Sequence, residues 1–320
     1  MAASDRAAAD DPTLRALAER GLYIGITART DPSLVESGEL YPPRAVSAEE
    51  RLRYYAAHFP VTEVDSTFYH PPSERNSDLW VERTPPDFQF DVKAFRLLTL
   101  HATPTSDLWR DLRSALPRDQ VIKERIYARN LPPEFVLEAL RRVLSALDPL
   151  QTSGRLGFLL FQFPWYVYPG RNGYGYLEFL ADAIQDRRVG VEFRQPRWMD
   201  DRHRERTLAF LSEHHLIYVC VDEPQGFRSS VPPVAASTAE LAAVRFHGRN
   251  TEAWEAPGKD PALRTAYDYR DDELAEWMPR IATLHEGGRP VHLLFNNVYR
   301  GAAVRNARAL ARLLTDGQEV

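Results

Sequence analysis

Short apolar runs alternate along the chain with longer stretches of helical period. Eight runs read as strands: Leu22–Thr27, Val61–Asp65, Phe88–Lys93, Leu156–Phe163, Val189–Arg194, Leu216–Asp222, Ala243–His247 and Val291–Asn296. The spacing between them predicts helices over Ala48–His58, Ser73–Arg83, Pro133–Leu147, Tyr176–Ala183, Arg202–His214, Asp271–Leu284 and Ala302–Leu314. Ser47 and the Pro132-Pro133 pair are suitable helix starts. Strand–helix alternation implies a parallel sheet with helices outside it. Eight repeats close that sheet into a single α/β (β/α)8 TIM-like barrel with extended βα loops.

Two connections depart from the repeat. Pro224 to Thr238 lacks a helical period and reads as loop, and the connection after the third strand is long. Its basic stretch Val121 to Asn130 reads as an insertion over one end of the barrel. Residues 1–20 read as a flexible tail ending in a short helix near Thr13 to Arg20, and residues 21–316 as the barrel domain.

Side chains alternate along a strand, so each run sorts into a lumen face and a helix face. With the apolar set against the helices, Glu63 and Asp65 point inward from the second strand, and Gln89, Asp91 and Lys93 from the third. The fifth strand turns Glu192 and Arg194 inward, the seventh Arg245 and His247, and the eighth His292 and Asn296. Thr27, Gln162 and Asp222 complete the ring, so every strand delivers a polar group near its carboxyl end, where barrels of this class place their chemistry.

Composition narrows the function classes. With 44% hydrophobic and 27% charged residues, the 320-residue chain is ordinary for a globular protein. Its net charge of −5 supplies no global field toward nucleic acid or anionic membranes, so anion binding must come from a local cluster. The single cysteine, Cys220, excludes an internal disulfide and any multi-cysteine zinc site. No stretch resembles a leader or a membrane span, which makes the cytoplasm the expected compartment.

The segment Glu63-Val64-Asp65-Ser66-Thr67-Phe68-Tyr69 resembles the E-[IV]-[ND]-S-T-F-Y signature of domain of unknown function 72. Matches follow in order at Phe88-Gln89-Phe90-Asp91-Val92-Lys93, at Leu159-Leu160-Phe161-Gln162-Phe163-Pro164, and at Val191-Glu192-Phe193-Arg194 with Trp198. Arg245-Phe246-His247-Gly248-Arg249-Asn250 and Phe295-Asn296-Asn297 with Ala303 to Asn306 complete the set. The resemblance spans roughly residues 22–315 and implies a TIM-like barrel, but no activity. The chain departs from the family's G-T-S-G-W opening with Gly25-Ile26-Thr27-Ala28-Arg29, and from its usual threonine–histidine pair after the third strand with Leu98-Thr99-Leu100-His101.

These residues favour an anion site over a metal site. Lys93, Arg194, Arg245 and Arg249 supply an ammonium and three guanidinium forks suited to phosphate or carboxylate. His247 is the expected acid–base group, with Glu192 and Asp222 as base or orienter. Asp65, Gln162, Trp198 and Asn296 are the expected further ligand contacts. Several of the nine histidines fall in helices or loops, so no metal ligand set and no cofactor is expected, though a weakly held divalent cation is compatible with the carboxylates. The leading expectation is an enzyme using acid–base chemistry on an anionic small molecule, phosphorylated or sugar-containing. A nucleic-acid-binding protein or phosphodiesterase using the loop aromatics is the alternative. A non-catalytic module whose lumen charges are purely structural is the third reading.

Overall fold

The computed structural model describes residues 12–258 and 260–317. Eight parallel strands close in sequential order: β1 (Leu22–Thr27), β2 (Val61–Val64), β3 (Gln89–Lys93), β4 (Leu156–Gln162), β5 (Val189–Glu192), β6 (Ile217–Asp222), β7 (Ala242–Phe246) and β8 (Val291–Phe295). The seam between β1 and β8 is in register, with Leu22 opposite Val291 and Ile26 opposite Phe295. Each strand lies within two residues of the run that the sequence pattern marks.

The helices form the outer layer. Ala48–His58 starts at a capping box in which Ser47 and Glu50 satisfy each other's backbone amides. Ala302–Asp316 packs on β1 and β8 through a face that includes Ala303, Ala307 and Ala311, and these small side chains allow close approach. The helix expected over Asp271–Leu284 is two pieces, Asp271–Ala275 and Met278–Leu284; Pro279 near the start of the second lacks the amide that would continue the first. Residues 223–241 contain no helix, as their composition suggests.

The short helix expected near Thr13 to Arg20 is Pro12–Glu19, and its Leu14 and Leu17 are buried in the core. The rest of the expected flexible tail, residues 1–11, lies outside the described residues. Arg125–Ile126 pairs antiparallel with Thr103–Pro104, so part of the basic insertion after β3 forms a small two-stranded ribbon.

The lumen has an apolar plug of Val61, Phe158, Leu160, Ile217, Val219, Ala243 and Leu294. Beside it, His292 Nδ1 is 2.8 Å from Asp91 Oδ2. Residue 157 must be glycine here, because a Cβ would stand 2.2 Å from Asp91 Oδ1. Nearer the carboxyl ends the lumen turns charged, and the strand phases follow the expected alternation with one exception. Asp222 lies opposite Phe246 in the register, and its carboxylate bonds Trp277, whose ring packs on Phe246 in the helix layer. The inward residue at this strand end is Glu223.

Candidate functional site

Arg245 anchors the charged layer. Its Nε and Nη2 donate to the two oxygens of Glu63, each at 2.8 Å, and its Nη1 donates to Glu192 Oε2 at 2.5 Å. All three side chains are buried. A buried guanidinium left unpaired costs several kcal/mol, and here two carboxylates use its donors. Arg245 is therefore a brace across the lumen rather than the ligand fork expected from the sequence.

Arg194 is also ion-paired, although its Nε makes no hydrogen bond among the described residues. Its Nη1 bonds Glu223, its Nε lies 2.8 Å from Glu192 Oε1, and its Nη2 lies 2.9 Å from His247 Nε2. Trp254 covers it, with the ring centroid 5.2 Å from the guanidinium carbon. Gln162 Nε2 donates to Glu192 Oε1 at 2.9 Å. Burial works to raise the Glu192 carboxyl, but Arg245 and Arg194 outweigh it and hold it well below the usual range. Glu192 is thus a charged hub for two arginines. The base role assigned to it would require breaking those pairs.

His247 is also tied down. Its Nδ1 lies 2.9 Å from the Asn296 amide, which also meets the Thr27 hydroxyl at 2.6 Å. Its Nε2 lies 3.1 Å from Glu192 Oε1 and 2.9 Å from Arg194 Nη2. Burial, followed by the Arg194 charge, lowers His247 to about 3. The ring is neutral near pH 7, which corrects its expected role as an acid–base group titrating there.

Three further expectations need correction. Asp222 accepts from Arg249 Nε (3.0 Å) and Nη2 (2.7 Å), from the Tyr269 hydroxyl (2.6 Å) and from Trp277 Nε1 (2.7 Å), so it locks the outer layer. Arg249 is shared with Glu276 at 2.8 Å and adds no free charge to the mouth. Trp198 is buried, stacks on Phe193 with centroids 4.3 Å apart, and donates to the Val167 carbonyl at 2.7 Å. It packs the loop after β5 and does not face a ligand.

Lys93 is different. It ends β3 on the lumen side, and no hydrogen bond or ion pair holds its ammonium among the described residues. Nζ lies 4.6 Å from the centroid of the Phe68 ring. Burial, then the Arg245 charge, lowers Lys93 to about 8 despite the pull of Glu63, Glu192 and Asp65. Asp65 stands just beyond β2 and is partly exposed, and its side chain caps nothing.

Arg29 joins this rim from just beyond β1, where no strand alternation points to it. The Asp65 charge acts on the Arg29 guanidinium, so the two side chains lie near each other at the rim. Its Nε is buried without a partner, and its side chain forms no ion pair among the described residues. Burial lowers its pKa, with Tyr41, Tyr55 and Asp65 opposing. A signal was available: Arg29 lies in the altered opening segment, next to Ala28, which adopts a φ of 44°. The family pattern has glycine at that position, which suits this backbone.

Glu223 was missed because Leu216–Val221 is apolar on both faces and gives no phase. Burial pushes Glu223 up to about 8, against Arg194 and the Val231 amide, which donates to it at 2.7 Å. His101, on the loop after β3, is lowered to about 3 by burial and then by the Lys93 charge. Among the described residues, no three histidine, cysteine or acidic side chains converge in a way that could hold a metal ion.

A closed parallel β/α barrel with an arginine–glutamate lattice under its carboxyl-end rim, and an unpaired lysine at that rim, defines the class of protein. The chain belongs to the family described as protein of unknown function DUF72, whose model matches residues 23–320. It is similar to the UPF0759 protein YunF of Bacillus subtilis (strain 168), 33% identical over 297 residues, covering 92% of this chain and 94% of that one. Among solved structures, a DUF72 family protein from Thermotoga maritima MSB8 superposes with a TM-score of 0.71 at 27% identity, covering 92% of this chain and 99% of that chain. A second, from Enterococcus faecalis V583, gives a TM-score of 0.72 at 24% identity, with 92% and 95% coverage, and supports the fold alone. No helix among the described residues is long and apolar enough to cross a membrane.

Proposed function

We propose that the chain is an enzyme acting by acid–base chemistry on an anionic small molecule at the carboxyl-end rim, with Lys93 as the proton-carrying group. The observation that carries this reading is the unpaired ammonium of Lys93, set among strand-end cations that carboxylates have already claimed. An amine near pKa 8 exists in both protonation states close to neutral pH, which general acid–base transfer requires. Lowering by burial and a neighbouring guanidinium is a recognised way to prepare such an amine. Arg29, also unpaired and flanking Asp65, supplies the fixed charge that would meet the ligand's anion. This reading moves the anion contact from Arg194, Arg245 and Arg249 to Lys93 and Arg29, and the proton transfer from His247 to Lys93.

The test is a turnover screen over phosphorylated and carboxylated compounds with wild type, Lys93→Met and Arg29→Gln. We expect activity that rises with pH through about 8, disappears in K93M, and shows a raised KM in R29Q. Turnover that survives K93M unchanged would overturn the assignment of Lys93. Absence of turnover, together with equal anion affinity in all three proteins, would overturn the enzymatic reading itself.

A further inference from the structure

On the same face of the barrel, but outside the lumen, the loops after β3 and β4 enclose a cavity of about 450 Å³. This lies within the range of roughly 300–1,000 Å³ typical of small-molecule sites. Its walls include Tyr127 and Arg129 from the insertion after β3, Tyr166 and Tyr168 from the loop after β4, and Arg171 from the helix that follows. Three phenol rings and two guanidiniums thus come from separate segments to one space.

The cations matter because the cavity gathers them with the rings, not because they lack partners, which is also true of other exposed arginines such as Arg75 and Arg113. Arg129 and Arg171 form no ion pair among the described residues. Arg129 instead lies over Tyr127, its guanidinium carbon 4.6 Å from the ring centroid. Arg197 faces Tyr168 in the same way at 5.6 Å. Rings that already stack against cations can take up a further flat group, and open guanidinium forks fit phosphate or carboxylate.

The wall is also held in a strained shape. Leu100, a lining residue, has a φ of 65°, in the left-handed region that a branched side chain disfavours. The Tyr166 hydroxyl donates to the Leu100 carbonyl at 3.1 Å, and the Tyr176 hydroxyl to the Leu98 carbonyl at 2.7 Å. Two tyrosines therefore fix the turn that bounds the cavity. Strain of this kind persists where surrounding structure over-determines it, often at ligand sites. On the opposite side, a Cβ at position 173 would stand 2.3 Å from the Tyr168 carbonyl, so Gly173 brings the start of its helix close against the tyrosine loop.

We propose that this cavity binds a small anionic aromatic compound, its ring among Tyr127, Tyr166 and Tyr168 and its phosphate or carboxylate on Arg129 and Arg171. The site is separate from the Lys93 rim and does not depend on it.

The test is titration calorimetry at low salt with phenyl phosphate and a nucleoside monophosphate, against the nucleoside alone and inorganic phosphate alone. The proteins are wild type, Arg129→Ala, Arg171→Ala, Tyr168→Ala and Lys93→Met. We expect at least one of the ring-bearing phosphates to bind at about millimolar or tighter, and each half-ligand about tenfold more weakly. R129A and R171A should each cost about five- to tenfold, as loss of a charge-assisted fork requires, and Y168A should weaken binding as well. Binding should persist in K93M. Arg129, Arg171 and Tyr168 are exposed and Lys93 is half-buried, and circular dichroism checks the folding of all four variants. No binding of either ring-bearing phosphate, affinity unchanged in both arginine variants, or binding lost in K93M would overturn the proposal. So would binding of a single-stranded oligonucleotide without binding of any monomer.

Discussion

Arg245 and Lys93 stand on inward phases of the same barrel, near the same Glu63, and meet opposite fates. Arg245 is buried with its donors on Glu63 and Glu192, so its charge is spent within the molecule. Lys93, at the rim, has no ion-pair partner among the described residues and titrates near 8. A planar fork can satisfy two carboxylates at once, whereas an ammonium beside that fork is repelled by it and stays unpaired. A charged lumen residue therefore indicates function only when its own neighbours leave it unsatisfied. The layer around Arg245 and Glu192 holds the barrel together, and the rim of Lys93, Arg29 and Asp65 is available to a ligand.

The largest expected effect lies in the paired layer. Arg245→Ala leaves Glu63 and part of Glu192 as uncompensated buried charges and should cost about 3–5 kcal/mol in urea unfolding. A cost below about 1 kcal/mol would erase the distinction between the two regions. Asp222→Asn should also destabilise, by about 2–3 kcal/mol, because it removes a charge that accepts from Arg249, Tyr269 and Trp277. Turnover measured on the folded fraction should remain, which separates Asp222 from the rim.

At the rim the sign reverses. The folded protein holds Lys93 near 8 instead of 10.5, so between these values the unfolded chain binds more protons and stability rises with pH. Below about pH 8 the full cost of the unpaired ammonium is present. Lys93→Met should therefore stabilise the protein at pH 7 by about 1–2 kcal/mol, with the advantage shrinking above pH 8. Unfolding curves at pH 7 and pH 10 check this, and a destabilised K93M at pH 7 would place Lys93 with Arg245. The smallest effect belongs to Ala28, whose φ of 44° suits glycine better. Ala28→Gly should stabilise by up to about 1 kcal/mol in the same assay.

The barrel was legible because its strands alternate where it matters. Glu63-Val64-Asp65, Gln89 to Lys93 and Val191 to Arg194 each state which face meets the helices, and the observed phases agree. Leu216 to Val221 carries no such statement, because the lumen beside Ile217 and Val219 is as apolar as the helix side. There the pattern does not distinguish Asp222 from Glu223, one residue away. Pairing was illegible for a different reason: Glu63 and Arg245 are 182 positions apart, and no local pattern reports that they share two hydrogen bonds. Trp198 and Arg249 sit on loops whose direction only tertiary packing sets. Arg29 stood in a segment marked as altered, but its importance depends on a missing partner, which a sequence does not display.

The most direct test of the unpaired rim is residue-resolved labelling of Lys93 with a trace amine reagent across pH 6 to 11, with peptides quantified by mass spectrometry. Reactivity of Lys93 should reach half its maximum near pH 8, where burial and Arg245 place its amine. Lys123, which lies on the exposed insertion, serves as the internal reference. Half-maximal reactivity near 10.5 would mean that a carboxylate holds the ammonium in solution, and Lys93 would join Arg245 as structure.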